Sequence, residues 1–556
     1  MRKIFKSAVF YIVFLPILVF CSIPLSSSAG IIIRKLIEGK WIEWRVGATP
    51  TETHFNKGLA FKKAGKLQKA SEEFLETVTL LEDERKKFTG EKRKKFFETN
   101  GRVKAYRELV ATLSERAIKG EKIDSKFTSY GKNLASVAFY FSELIKARLL
   151  TEAIVRGKKV KQKVGLPIPP EQLLLKDNEV LLEYMVGDDA TYIFVVRKEG
   201  VKGIHRIALN KAVLEEKIRT FMKPLDMNLI TFSIEKAKEL YYILLANALY
   251  GTKGDEKVII IPDGILGILP FEALVIKESK DIKDCVFVGD KWTISYAPSA
   301  TFLGLTRYSK PEKTEKLLFA LGDPVFSSDD PRYKAKQEDS IITLPDSQTR
   351  RAWLDKNNKT NRELLFGRLP ETGQEVRQIA QNMSVVPEFP NVLLGLQANE
   401  TELKKIKLED YKYIHFATHS CLPGDIPAII EPSLILGQVK NNKGDDGFLT
   451  LSEIMSINLN AELVSLSASC TGVGKIIEGE GVLSLGYAFL YAGARSVVVS
   501  LWNVPSMETV ELMTSFYRHL KEGKSKAEAL TLAKREIRVK YPNPFYWAPF
   551  VLVGER

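Results

Sequence analysis

Apolar residues recur at spacings of three and four from Thr51 to about Gly157, with few prolines among them, and this period predicts helix after helix. The pattern then changes. A polar, proline-containing stretch over residues 158–172 reads as a hinge, and beyond it the apolar runs take strand length at 179–184, 190–196 and 204–209. Residues 235–249 return to helical spacing before 257–264, a continuous apolar run of the kind covered on both faces of a sheet. Similar runs recur at 317–321, 413–417, 463–468 and 496–501, with helical segments between them. Such alternation predicts an α/β sandwich with a largely parallel sheet. In sheets of this type the active groups gather beyond the carboxyl ends of strands. His419 and Cys470 both stand there, each just past an apolar run, whereas His415 lies inside its run and fits a hydrogen-bonded core histidine.

Two features of the amino-terminal part add to this picture. Arg2, Lys3 and Lys6 precede an apolar stretch from Ala8 to Leu25, and Ser26-Ser27-Ser28-Ala29 then offers small residues for cleavage. A signal peptide over residues 1–29 and export to the periplasm or the exterior are expected, with an uncleaved membrane anchor as the alternative. Within the helical stretch, Gly58, Phe61, Gly65, Leu67, Ala70 and Phe74 sit where a tetratricopeptide helix pair places its small and aromatic packing residues. Such a unit cannot bury its face alone, so the following helices are expected to stack on it as a TPR-like region.

Composition narrows the function classes. A chain of 556 residues with 45% hydrophobic and 27% charged content reads as several folded domains. The net charge of +14 is spread over amphipathic helical stretches without interleaved exposed aromatics, which argues against a nucleic-acid partner. Behind the leader only Cys285, Cys421 and Cys470 remain, too few and too scattered for a disulfide framework. A thiol attacks only as thiolate, and a neighbouring imidazole generates that thiolate by taking its proton. His419 precedes Cys470 by about 50 residues, the spacing of the caspase pair.

Several ordered motifs carry a family resemblance. They include Leu181-Leu182-Glu183-Tyr184, Ile261-Pro262-Asp263-Gly264, Ser295-Tyr296-Ala297-Pro298-Ser299, His415-Phe416-Ala417-Thr418-His419 and Asp446-Gly447-Phe448-Leu449-Thr450. A closing block follows, from Ala488 through Leu501-Trp502-Asn503-Val504 to Tyr546-Trp547-Ala548-Pro549-Phe550. In these the chain resembles the CHAT-domain proteins, caspase-like peptidases often joined to tetratricopeptide repeats. The resemblance implies a caspase-like fold, His419 as general base, and a thiolate nucleophile at the end of the next strand. It further implies an oxyanion held by backbone amides, with Ser420 standing where the family commonly has glycine.

The nucleophile departs from the family pattern. An ungapped fit places Ser469 in the cysteine column and Cys470 one residue later, while Thr471 and Gly472 keep register. Because successive strand residues face opposite ways, three readings stay open. Cys470 attacks, Ser469 attacks, or the site is degenerate and the protein is an interaction module. Asp446, Glu431 and Glu478 are candidates to bind a basic substrate residue, and Cys421 is a candidate to pair with Cys470 in a latent disulfide. No metal or organic cofactor is implied. The expected organisation is a leader at 1–29, a TPR-like region at 30–157, a hinge at 158–172, a companion α/β part at 173–312 and a caspase-like catalytic part at 313–556. The leading expectation is an exported cysteine endopeptidase whose helical region recruits a protein substrate or partner.

Overall fold

Thr49 and Pro50 set the first helix: the threonine hydroxyl accepts from Glu52 N, and the proline occupies the first turn, where no amide donor is needed. This helix, α1 (Pro50–Lys63), ends at Gly65, whose φ of +75° lets the chain reverse into α2 (Leu67–Lys86). Phe61, Ala70 and Phe74 are buried between the two helices. The fit is tightest at Gly58, where an added Cβ would stand 2.5 Å from Phe74 Cε1. Gly58→Val is therefore expected to destabilise the helical unit by about 1–3 kcal/mol. A chemical denaturation curve followed by circular dichroism checks this, and an unchanged midpoint would contradict the packing. Two further helices, α3 (Arg102–Ile118) and α4 (Leu134–Glu143), continue the helical array.

The computed structural model describes residues 10–14, 17–22, 32–37, 40–47, 49–88, 96, 101–157, 166–227, 229–309, 311, 313–334, 366–425, 429–468, 471–472, 474–477, 481–503 and 506–556. Part of the expected leader, together with Ser469, Cys470 and Glu478, lies outside them. Two compact units divide the chain: residues 1–146, 167–172 and 185–211 make one, and 147–166, 173–184 and 212–556 make the other. The first unit takes in an antiparallel hairpin, Thr191–Arg197 with Gly200–Ile207, in addition to its helices. Side-chain contacts explain the grouping. Phe194 packs edge-on against Phe139 of α4 at 5.9 Å, and the Tyr192 hydroxyl donates to Glu115 of α3 at 2.9 Å.

The second unit is the α/β sandwich expected from the apolar runs. Its strands are β1 (Glu179–Val186, of which residues 179–184 belong to this unit), β2 (Lys257–Ile261), β3 (Thr293–Tyr296), β4 (Lys316–Pro324), β5 (Val392–Gly395) and β6 (Tyr411–Ala417). A small side sheet holds β7 (His419–Cys421), β8 (Ser433–Ile435) and β9 (Phe448–Thr450). The main sheet then continues with β10 (Leu463–Ser467), β11 (Ser496–Ser500) and β12 (Phe550–Gly554). Within this unit the spatial order of its strands is β5-β4-β6-β10-β11-β12-β3-β2-β1. Every neighbouring pair is parallel except β11 and β12, so two parallel half-sheets meet at one antiparallel seam.

Helices cover both faces, which is why these strands read as unbroken apolar runs. Along β6, Phe416 packs against Phe489 of α7 (Leu485–Tyr491) at 5.6 Å, while His415 points the other way. There its Nε2 lies 2.9 Å from Glu375 of α5 (Pro370–Asn382), and its ring meets Tyr517 of α8 (Ser506–Lys521) at 5.4 Å. The Tyr517 hydroxyl donates in turn to Ser465 of β10 at 3.1 Å. His415 is fully buried and serves as the core histidine its place in the sequence predicts. Among the described residues no helix is long and apolar enough to cross a membrane.

Candidate functional site

Register fixes where the strand ends meet. Gly322 of β4 pairs with Ala417 of β6, and Ala417 pairs with Ser467 of β10, so these three carboxyl ends stand side by side. Thr418 N reaches the Ser467 carbonyl at 3.3 Å, and the Thr418 hydroxyl donates to the Ile435 carbonyl of β8. These two bonds turn the chain out of the main sheet. His419 then opens β7, opposite Ile435, with Ser420 opposite Leu434 and Cys421 opposite Ser433.

The imidazole of His419 is held at one end. Its Nε2 lies 2.7 Å from the Gly367 carbonyl oxygen, which accepts only, so Nε2 carries the hydrogen and Nδ1 is the basic nitrogen. Phe326 and Phe366 flank the ring at 5.2 and 5.7 Å, and Phe448 packs edge-on against Phe366 at 6.4 Å. Burial among these rings pushes the His419 pKa below its ordinary value, and the bond to Gly367 O opposes that shift only in part. The side chain is consequently neutral at neutral pH, the form a general base requires.

Ser469 and Cys470 lie outside the described residues, but the chain on either side of them is anchored. Thr471 is buried, and its hydroxyl accepts from Ser500 N at 2.9 Å. Gly472 N donates to Ser500 O at 2.8 Å, and the Ser500 hydroxyl donates to Ala468 O. A Cβ on Gly472 would come within 2.7 Å of Val499, so the close approach to β11 explains the glycine. An open, mostly apolar pocket is lined by Gly472 together with Tyr487, Val499 and Val553; His419 is not part of its wall.

The remaining sequence candidates take distinct places. Ser420 is half-buried in the β7–β8 ladder. Cys421 is a free, buried thiol whose pKa is pushed up to about 12, first by burial and then by Asp425. Glu431 accepts from both the amide and the hydroxyl of Ser452 at 2.8 and 2.7 Å, at the start of α6 (Leu451–Ser456). Asp446 is exposed and accepts from Phe448 N at 2.9 Å in a local turn. Glu478, like Ser469 and Cys470, lies outside the described residues. Sequence reasoning passed over Gly367, Phe326 and Phe366. A main-chain acceptor leaves no residue-type signal, and the two phenylalanines lie far from His419 in the chain.

The site thus holds an imidazole whose tautomer is set by a main-chain carbonyl and whose place is set by the ends of parallel strands in an α/β sandwich. The chain belongs to the CHAT-domain family, whose model matches residues 235–555. It is also similar to tetratricopeptide repeat protein 28, at 25% identity over 222 residues for the Homo sapiens protein and 32% over 222 for that of Mus musculus. Each match takes in 34% of this chain but spans only 9% of the relative. Among solved structures, the separase–securin complex of Saccharomyces cerevisiae matches at 11% identity and a TM-score of 0.46, over 87% of this chain and 38% of that one. The Arg-specific cysteine proteinase gingipain R matches at 8% identity and a TM-score of 0.34, over 62% of this chain and 74% of the other.

Proposed function

We propose that the protein is an exported, caspase-like cysteine endopeptidase in which His419 and Cys470 form the catalytic dyad. The observation that carries this reading is the His419–Gly367 bond, which leaves Nδ1 as the basic nitrogen of a residue two positions past Ala417, the partner of Ser467 in the strand that leads to Cys470. Family membership over residues 235–555 supports it. In the reaction, Nδ1 takes the Cys470 thiol proton and the thiolate attacks the peptide carbonyl carbon. The resulting imidazolium then protonates the departing amine, and water hydrolyses the thioester with Nδ1 again acting as base. Backbone amides, Ser420 N among them, hold the oxyanion in this proposal. The helical unit recruits the protein that is cut or that controls cutting, a reading supported by the Gly58–Phe74 helix pair and by the similarity to a tetratricopeptide repeat protein.

The test requires no substrate. Alkylation of each cysteine in the purified protein is followed by mass spectrometry as a function of pH. Cys470 is expected to react with an apparent pKa well below the model thiol value of about 8.5. Cys421 serves as the internal contrast, staying silent until the pH nears its value of about 12. If Cys470 titrates as an ordinary thiol, the dyad is refuted and the interaction-module reading takes its place. A protein whose proteolysis disappears in Ser469→Ala while Cys470→Ala retains it would move the nucleophile to Ser469.

A further inference from the structure

The Gly367 carbonyl orients His419 only if the main chain at residues 366–368 is itself fixed. One buried acid bonds to this segment through Arg368. Asp323, the penultimate residue of β4, is 6% exposed and adopts a φ of +45°, a left-handed conformation that few non-glycine residues take. Its amide donates to the Thr372 hydroxyl at 2.8 Å, and the same hydroxyl donates to Leu369 O at 2.7 Å. Its carboxylate receives the fork of Arg368, with Nε on Oδ1 at 3.0 Å and an Nη on Oδ2 at 2.8 Å. Arg332 supplies a further bond to Oδ2 at 2.9 Å and one to the Asp323 carbonyl oxygen at 3.0 Å. The first turn of α5 closes over this node. A Cβ on Gly322 would meet Thr372 O at 2.6 Å, and one on Gly373 would meet Asp323 Cβ at 3.0 Å.

We propose that Asp323 and Arg368 are positioning residues for the His419 base, acting through the strap of residues 366–368 that carries the Gly367 carbonyl. This rests on the peptidase reading only for its consequence in catalysis; the geometry stands without it. A planar guanidinium gripped at two points fixes direction as well as distance, which a lysine in its place would not do. The strained backbone at Asp323 accords with such a role, because conformations of that kind persist where the surroundings over-determine them. Arg368 adjoins Gly367 in the chain, so its fork fixes the carbonyl one residue away, while the Phe366 ring completes the contact with the imidazole. Neither residue touches the reacting atoms in this account.

The test reads His419 directly, independently of Cys470. The full chain, labelled with ¹⁵N and ¹³C in its five histidines, is examined by NMR for the ring tautomer, and His419 is assigned by its loss in His419→Gln. Wild type is expected to show a single Nε2–H form at His419. In Arg368→Met, which keeps the Asp323–Arg332 pair and alters a half-exposed side chain, a mixture of tautomers is expected. Cys470 alkylation at neutral pH should fall in step by roughly 10- to 100-fold, the scale of a catalytic group displaced by about an ångström. Arg368→Lys should restore only part of both effects. A tautomer change with Cys470 inert throughout upholds the clamp and overturns the peptidase reading alone. An unchanged tautomer in both Arg368→Met and Asp323→Asn overturns the clamp, whatever Cys470 does. Faster alkylation in Arg368→Met with the His419 tautomer unchanged means that the arginine obstructs the site instead of ordering it, and it overturns the clamp.

Discussion

His419→Ala is expected to lower peptide hydrolysis by roughly 10²–10⁴-fold, the usual contribution of a positioned acid–base group, while the unfolding midpoint hardly moves. The ring is half-buried and bonds through one nitrogen to a main-chain oxygen, so its loss opens a void at the rim of the sheet and leaves the buried core intact. The apparent pKa of Cys470 should rise in the same variant, because no base remains to accept its proton. Burial holds His419 below its ordinary pKa of 6.5. The base form therefore persists to lower pH, and the acid limb of the kcat/KM profile should lie below 6.5. Phe326→Ala, which admits water to the imidazole, should move that limb upward. Proteolysis that survives in His419→Ala would refute the assignment.

Glu375→Ala should produce the opposite phenotype. It removes the partner of a histidine with no exposed surface and leaves both an orphaned ring N–H and a void, at a combined cost on the order of 3 kcal/mol. Glu375→Gln keeps an acceptor and should lose less. Urea unfolding at neutral pH measures both, and activity per folded molecule should stay close to wild type. Two histidines four residues apart are thus expected to separate, one affecting the rate and the other the stability.

The different places of the two histidines were legible in the chain itself. His415 stands within the apolar run of β6 and His419 beyond it, and strand periodicity alone assigns the first to the core. The parallel sheet was legible for the same reason, since strands covered on both faces leave continuous apolar runs. The grouping of the 191–207 hairpin with the helices was not, because its side-chain partners, Phe139 and Glu115, are chosen by tertiary packing. Nor was the strap. Asp323 and Arg368 read as an ordinary charged pair far apart in sequence, and only the left-handed turn at the end of β4 and the two-point fork give them a role. The choice between Ser469 and Cys470 turns on a shift of one residue, which reverses the face a strand side chain presents.

The orienting acceptor for His419 belongs to the main chain, so a scan of single substitutions would not find it directly. Nothing lies within 4 Å of where a Cβ on Gly367 would stand, and a side chain there would leave the carbonyl oxygen in place. A mutational map would record position 367 as permissive and would point to its oxygen only indirectly, through Arg368 and Asp323. Changes of length would behave differently: removing or adding one residue between Gly367 and α5 would withdraw the oxygen while every side chain of the site remained. Variation by insertion and deletion, rather than by replacement of Gly367 itself, is the kind to which this oxygen is exposed.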